Sequence, residues 1–316
     1  MAVPTNTLQT YQSTYNAEDV TSIIMNISPV ETPLLTLARK EDAEATFTEW
    51  PIESLSAVDS ANANIEGDDA TIDASTTPTR VGNYTQLVDK TVSVTTTQSA
   101  IKKYGARDEF ARQKAKKGKE LKRDMESIML LNQARVVGAA GTAQKMRSMG
   151  SWLTTNVSRG ATGANGSTTT AATDGTPRNF TEALFKTVLV SCATNAQDMP
   201  SVIMAGPANR ANLSSQLSGN STRFYELQDG TLNASISVYR SDYGTHKMVM
   251  NRFQRERDMW FLNPTYVSIR TLEPMQYVDL ARTGLTEKGQ MWTNFTLGVL
   301  NEAAHGVLAD LTTVVI

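Results

Sequence analysis

Between Glu41 and Arg80 this chain sets ten acidic side chains against a single base, Arg80, in a background of Ala, Ser, Thr and Asn. The acids are Glu41, Asp42, Glu44, Glu49, Glu53, Asp59, Glu66, Asp68, Asp69 and Asp73, which gives the segment a local charge of −9. Its anchor is the aromatic–proline pair Trp50-Pro51. Such a stretch cannot bury enough apolar area to build a core of its own. A structureless segment of about 40 residues is uncommon inside a compact domain and marks function or disorder. Residues 84–96 follow with largely alternating apolar side chains (Leu87, Val88, Val92, Val94) and predict a strand. Acidic loop and strand together predict a long projecting arm.

The next segment carries the strongest helical pattern. From Arg107 to Val137 there is no proline and one glycine, Gly118. Phe110, Lys114, Gly118, Leu121, Met125, Ile128, Met129 and Asn132 recur at three- and four-residue steps. A helix over 107–137 would be about 45 Å long, more than a compact domain needs. Its first half, Arg107 to Glu126, holds eight bases and five acids, a net of +3. Gly118 costs such a helix about 1 kcal/mol against alanine, which points to a close contact or a slight bend there.

Elsewhere the chain alternates between polar connectors and short elements. Residues 1–16 are polar and predict an extended arm; Asn16 then caps a helix carrying Val20, Ile23, Ile24 and Ile27, and Thr32-Pro33 opens a second short helix. Residues 158–178 are low-complexity Gly/Ser/Thr and predict a mobile loop. A helix from about Asn179 to Ala193, a buried strand Pro200 to Ala205 and a helix near Asn209 to Leu217 form a compact unit, and the remainder from about Ala234 is strand-rich. Helices and strands are segregated, so the fold class is α+β.

Tests for chemistry return little. His246 and His305, the only histidines, lie far apart in strand-like contexts, and Cys192, the only cysteine, falls on the apolar side of its helix. Structural roles are expected for all three, a single thiol allows no internal disulfide, and the usage fits a reducing cytoplasm. Gly160, Gly163 and Gly166 match neither a dinucleotide fingerprint nor a phosphate loop. The Glu66–Asp69 patch lacks the alternating ligands of a calcium loop. No catalytic, cofactor or metal residues are predicted, no apolar run is long enough for a membrane helix, and the N-terminus lacks the basic start and apolar stretch of a secretory signal. The net charge of −2 argues against a general nucleic-acid binder, and the bases of the long helix are diluted by acids.

The order of parts resembles the Hong Kong 97-type capsid fold. The resembling segments include NAEDVTSIIMNISPVETPLLTLARK at 16–40, VGNYTQLVDKTVSV at 81–94, KKGKELKRDMESIMLLNQ at 116–133, PANRANLSSQ at 207–216 and TLGVLNEAAHG at 296–306. Their order and coverage are similar to the tailed-phage major capsid family related to the major head protein of phage SU-ten. The resemblance implies an N-terminal arm (1–40), an extended E loop (41–96), a peripheral domain with spine helix 107–137 and flexible loop 158–178 (97–178), an axial domain (179–245) and returning strands (246–316). It implies a shell of hexamers and pentamers around double-stranded DNA in a virion assembled in the host cytoplasm. A portal protein is a further partner, with either a separate scaffolding protein or assembly without one and with decoration proteins left open, and with no membrane and no enzymatic role. The E loop would reach over a neighbouring subunit, and the expected interface pairs Glu66, Asp68, Asp69 and Asp73 with a neighbour's Lys114, Lys116, Lys117, Lys119 and Arg123.

Two features depart from better-known relatives. No lysine lies between Glu41 and Asp89, so the loop cannot supply a lysine for a side-chain cross-link. No long helical extension precedes residue 16, so a fused scaffold is not expected. An encapsulin-like compartment shares the same fold pattern. A phage tail or fibre protein would fit the Thr-rich strands but not the long amphipathic helix.

Overall fold

A computed structural model describes residues 31–315 apart from 68, 70, 71, 73, 74, 76, 104–107, 197 and 220–236. The expected arm 1–16, the helix through Val20 and Ile27, and the interface residues Asp68 and Asp73 lie outside the described residues. The elements run α1 (Pro33–Leu37), β1 (Arg39–Asp42), β2 (Phe47–Ile52), β3 (Thr79–Tyr84), β4 (Gln86–Thr95), α2 (Thr96–Ala100), α3 (Glu109–Met129), α4 (Met149–Trp152), β5 (Val157–Ser158), α5 (Glu182–Asn195), β6 (Val202–Ala205), α6 (Pro207–Gly219), β7 (Val238–Ser241), β8 (Gly244–Met250), β9 (Met259–Leu262), β10 (Val267–Leu280), β11 (Thr286–Val299) and β12 (Gly306–Leu308). They form a four-stranded sheet, β1-β10-β11-β4, a six-stranded sheet, β5-β12-β9-β6-β8-β7, and a two-stranded ribbon, β2-β3. The fold is α+β.

The six-stranded sheet separates two cores. Met204, Trp260, Leu262 and Val307 enter one core with Met125 and Met129 of α3 and Ile269, Phe295 and Leu297 of the four-stranded sheet. Their chain neighbours Ile203, Ala205, Met259, Phe261 and Leu308 enter the other, with Phe185, Val188, Leu189 and Cys192 of α5 and Leu213 and Leu217 of α6. Strands buried on both faces read as unbroken apolar runs, which is why VIMA and MWFL carry no alternation. The sheet crosses the expected domain boundary at 245, which falls inside β8.

The spine helix is shorter than the apolar spacing predicts. Asp108 caps its start by accepting from the Phe110 and Ala111 backbone N–H groups. It ends at Met129, so α3 has 21 residues, about 32 Å, and not the span to 137. Beyond Leu130 the side chains that continue the pattern are claimed by other segments. Asn132 exchanges two hydrogen bonds with the Ala172 backbone, and Gln133 donates to Gln86 and to the Met146 carbonyl. Those contacts outcompete further helical turns, a tertiary effect that local periodicity does not carry.

Residues 158–178, expected to be a mobile loop, are tied to two distant segments. Asp310, fully buried, accepts from the Gly160 N–H and pairs with Arg257 at 2.8 Å. Asp174 takes both carboxylate oxygens to Arg255 and also meets Arg257 at 3.3 Å. Gly160 and Gly175 are required here, since a Cβ on Gly160 would lie 2.1 Å from the Thr176 carbonyl and one on Gly175 would lie 2.7 Å from that of Gly160.

A second tertiary clasp holds α1. Thr32 offers this helix no side-chain cap, and the first-turn N–H groups of Leu34 and Leu35 donate instead to Glu126 of α3 at 2.8 and 2.9 Å. Asn251 supplies a third donor at 2.6 Å. Burial pushes the Glu126 carboxyl up, and the three donors act against that shift. Glu126→Ala strands two buried donors, at about 1–3 kcal/mol each, and a third that is part-buried. We expect a loss of about 3 kcal/mol or more in chemical denaturation of the purified subunit, with a smaller loss for Glu126→Gln. Asp258 is shifted the same way with less compensation: among the described residues its one ion pair is a 3.5 Å contact to Arg255, and burial pushes its carboxyl up to about 6. A native value above the ordinary 3.8 means the ionised form costs stability above about pH 6, a cost relieved as pH falls and gone below 3.8. Asp258→Asn should therefore stabilise the subunit by about 1–3 kcal/mol at about pH 8. That gain should shrink when the denaturation is repeated toward about pH 4.

Candidate assembly surfaces

The acidic segment projects from a fixed root. β2 and β3 pair in register from Phe47↔Tyr84 to Ile52↔Thr79. At the base, Trp50 is buried; its Nε1 donates to the Val299 carbonyl, its ring lies against Trp152, and the Arg270 guanidinium sits 4.9 Å from its centroid. Asn83 of β3 is also buried: it donates to the Arg147 and Leu297 carbonyls and accepts from the Arg147 N–H. Gly82 is dictated by this packing, since a Cβ there would come within 2.8 Å of both the Phe47 ring and the Thr48 carbonyl.

Beyond the ribbon, the described residues between Glu53 and Pro78 are all exposed. They include aliphatic side chains: Leu55 and Val58 are 97% exposed, Ile72 is 96% exposed and Ile65 is 78% exposed. Ile65 precedes a turn through Glu66 and Gly67, where Gly67 takes φ 88. Glu66 and Asp69, two of the expected interface acids, are exposed beside it. The sequence reading weighed only the charges of this loop and missed its four aliphatic residues. Their pattern was legible as isolated large apolar side chains in a run that cannot form a core.

The expected basic partners do not form one surface. Lys114 lies 3.4 Å over the Tyr277 ring, Lys117 pairs with Glu120 at 2.7 Å and Arg123 lies 4.9 Å from the Phe253 ring centroid. Lys116 and Lys119 are exposed. Of the five, only Lys114 and Lys119 line an open groove of about 460 Å³, together with Lys122, which the interface expectation omitted. Its walls are Ala111, Ala115 and Gly118 of α3, and Met275 and Met291 of the sheet. Gly118 is here for a close approach, since a Cβ would sit 3.3 Å from the Met291 sulfur. In its second half α3 fills the same side with Leu121, Met125 and Met129; in its first half small residues leave the groove open.

The chemically versatile side chains have structural partners. His305 is fully buried and accepts through Nδ1 from the Asn263 N–H, and burial pulls its pKa down to about 4. His246 bridges Ser241 and the Pro200 carbonyl. Cys192 is buried against Gly306 and the His305 carbonyl, with its thiol pushed up to about 12 by burial. Among the described residues no group of three His, Cys, Asp or Glu is placed to hold a metal, and no helix is long and apolar enough to cross a membrane.

Comparison with known proteins supplies the context. The family model described as SU10 major capsid protein matches residues 4–312. The major capsid protein of Escherichia phage Phieco32 is 27% identical, over 89% of this chain and 90% of that protein. The capsid asymmetric unit of cyanophage A-1(L) superposes with a TM-score of 0.66 at 14% identity, over 96% of this chain and all of that one. The SrpI encapsulin of Synechococcus elongatus PCC 7942 also superposes, at TM-score 0.57 and 11% identity, over 94% and 93% of the two chains. The root of the projecting loop can be tested apart from any of these likenesses. Trp50→Ala removes a buried indole, its hydrogen bond and its ring contacts, and should cost about 3–5 kcal/mol in urea denaturation. Leu55→Ser, on the exposed part of the same loop, should leave stability within about 0.5 kcal/mol.

Proposed function

Because this chain belongs to the SU10 major capsid protein family, a tailed-phage shell protein with a Hong Kong 97-like fold, we propose that its acidic E loop joins it non-covalently to the next subunit. The fold alone is shared with an encapsulin, and it is the family match that favours a phage shell. The observation that carries the reading is the loop itself: an acidic, aliphatic-bearing excursion exposed along its described length beyond a buried root. Covering Leu55, Val58, Ile65 and Ile72 with a neighbouring subunit would take apolar surface out of water, which is favourable. A homo-oligomeric shell supplies such a neighbour to every subunit.

In this reading the chain forms hexamers and pentamers that close into an icosahedral shell around double-stranded DNA. Assembly takes place in the host cytoplasm, and a portal protein occupies one vertex. Scaffolding is either a separate protein or dispensed with, and the outer surface is open to a decoration protein. The domain plan is the one implied by the family: E loop, spine-helix domain and an axial unit carried by α5, β6 and α6. The role is structural and not catalytic, which fits histidines and a cysteine engaged in packing.

The acids of the loop, Glu66, Asp68, Asp69 and Asp73, meet the bases at the start of a neighbour's α3, of which Lys114 and Lys119 are the best placed. Exposed ion pairs give only about 0–1 kcal/mol each and are screened by salt. They steer the loop into register, and apolar contacts supply the strength. Asp68→Lys with Asp69→Lys should give a folded subunit, by circular dichroism, that forms no closed shells in negative-stain images. Shells at parental yield would refute the pairing.

A further inference from the structure

The groove beside α3 and the middle of the acidic loop are complementary in three respects. The groove is apolar at its floor, where Met275 and Met291 lie under Ala111, Ala115 and Gly118, and cationic at its rim, where Lys114, Lys119 and Lys122 stand. The middle of the loop presents one aliphatic side chain, Ile65, next to a turn and followed by acids, Glu66 and Asp69. An apolar knob would meet apolar lining residues, and the acids that follow it in the chain would meet the lysines that line the groove. Reach agrees as well. From Ile52 to Ile65 an extended strand covers up to about 43 Å, against about 32 Å for the whole of α3. The groove volume of about 460 Å³ has room for an aliphatic side chain with its adjoining turn.

From this we infer that the groove is the seat for Ile65 of a second copy of this chain, so that the loop is held by a buried aliphatic anchor with its carboxylates fixed by Lys114, Lys119 and Lys122. The inference rests on the proposed loop-to-helix pairing and names the contact that gives it strength. Methionine floors suit such a role, because the unbranched thioether adapts to a knob that must be seated in subunit positions that are not identical. The small residues on α3 are what leave the seat empty within one subunit.

The lone native thiol makes the contact directly testable, since Cys192 is buried and its thiol is pushed up to about 12. Ile65→Cys combined with Ala115→Cys should give shells whose subunits run as a disulfide-linked ladder on non-reducing gels and collapse to monomer on reduction. Ile65→Cys combined with Val190→Cys, on the far helix α5, should give no ladder. Should the cysteines prevent assembly, Ile65→Asp decides: it should abolish shells, Ile65→Val should retain them, and both should fold. Shells without the 65–115 ladder, or parental shell yield from Ile65→Asp, would overturn the seat. If at the same time the Asp68 and Asp69 lysine variant fails to assemble, the charge pairing stands and only the seat falls. If that variant also assembles normally, both fall together.

Discussion

A projecting loop can position a neighbour only if its root does not yield, and the packing around Trp50 and Asn83 provides that fixed point. Two polar side-chain groups are drawn into the core there, and both are satisfied by main-chain atoms of other segments. An unsatisfied group at that depth would cost about 1–3 kcal/mol, roughly twice what a made hydrogen bond contributes, so losing either partner weakens the root more than the bond strengthens it. Val299 and Leu297 of β11, Arg147 before α4 and both strands of the ribbon meet at this junction. The loop, the four-stranded sheet and the core under α3 are therefore fixed relative to one another by a few bonds.

The same device recurs wherever the chain must hold an element that local sequence leaves unfinished. Glu126 caps α1 from α3, Glu302 takes the Thr154 and Thr155 N–H groups, and Glu256 takes the Ala208 N–H at the start of α6. In each case a carboxylate from a distant segment meets backbone donors that have no helical partner. These clasps bind parts of the subunit that lie far apart in sequence. Beyond Ile52, by contrast, the described residues up to Pro78 are exposed.

Much of the fold was legible before any coordinates. The strand at 84–96, the helices after 179 and before 217, and the buried strands at 202–205 and 259–262 follow from hydrophobic spacing, because burial on one or both faces writes itself into side-chain type. The expected burial of Cys192 holds for the same reason. The end of α3 did not follow, since Asn132 and Gln133 are diverted by partners 40 and 47 residues away in the chain. The Gly/Ser/Thr segment also read as free, although the glycines that suggested mobility admit close backbone contacts around Asp310.

The sequence by itself determined that the acidic segment could have no core of its own, that a long amphipathic helix follows it, and that the whole resembles a shell protein. The first two conclusions rest on composition and periodicity, which are properties of neighbouring residues; the third is a resemblance carried by the order of segments such as those at 16–40, 81–94 and 116–133. Only the tertiary structure decided what surrounds each base. Lys114, Lys117 and Arg123 look alike in sequence, yet one borders a groove over Tyr277, one is neutralised by Glu120 and one is stacked on Phe253. It also decided that an apolar groove lies among the lysines, because a groove is the space between α3 and two strands more than 150 residues further along the chain. Charge can be counted along a chain, but a cavity exists only between segments that folding brings together.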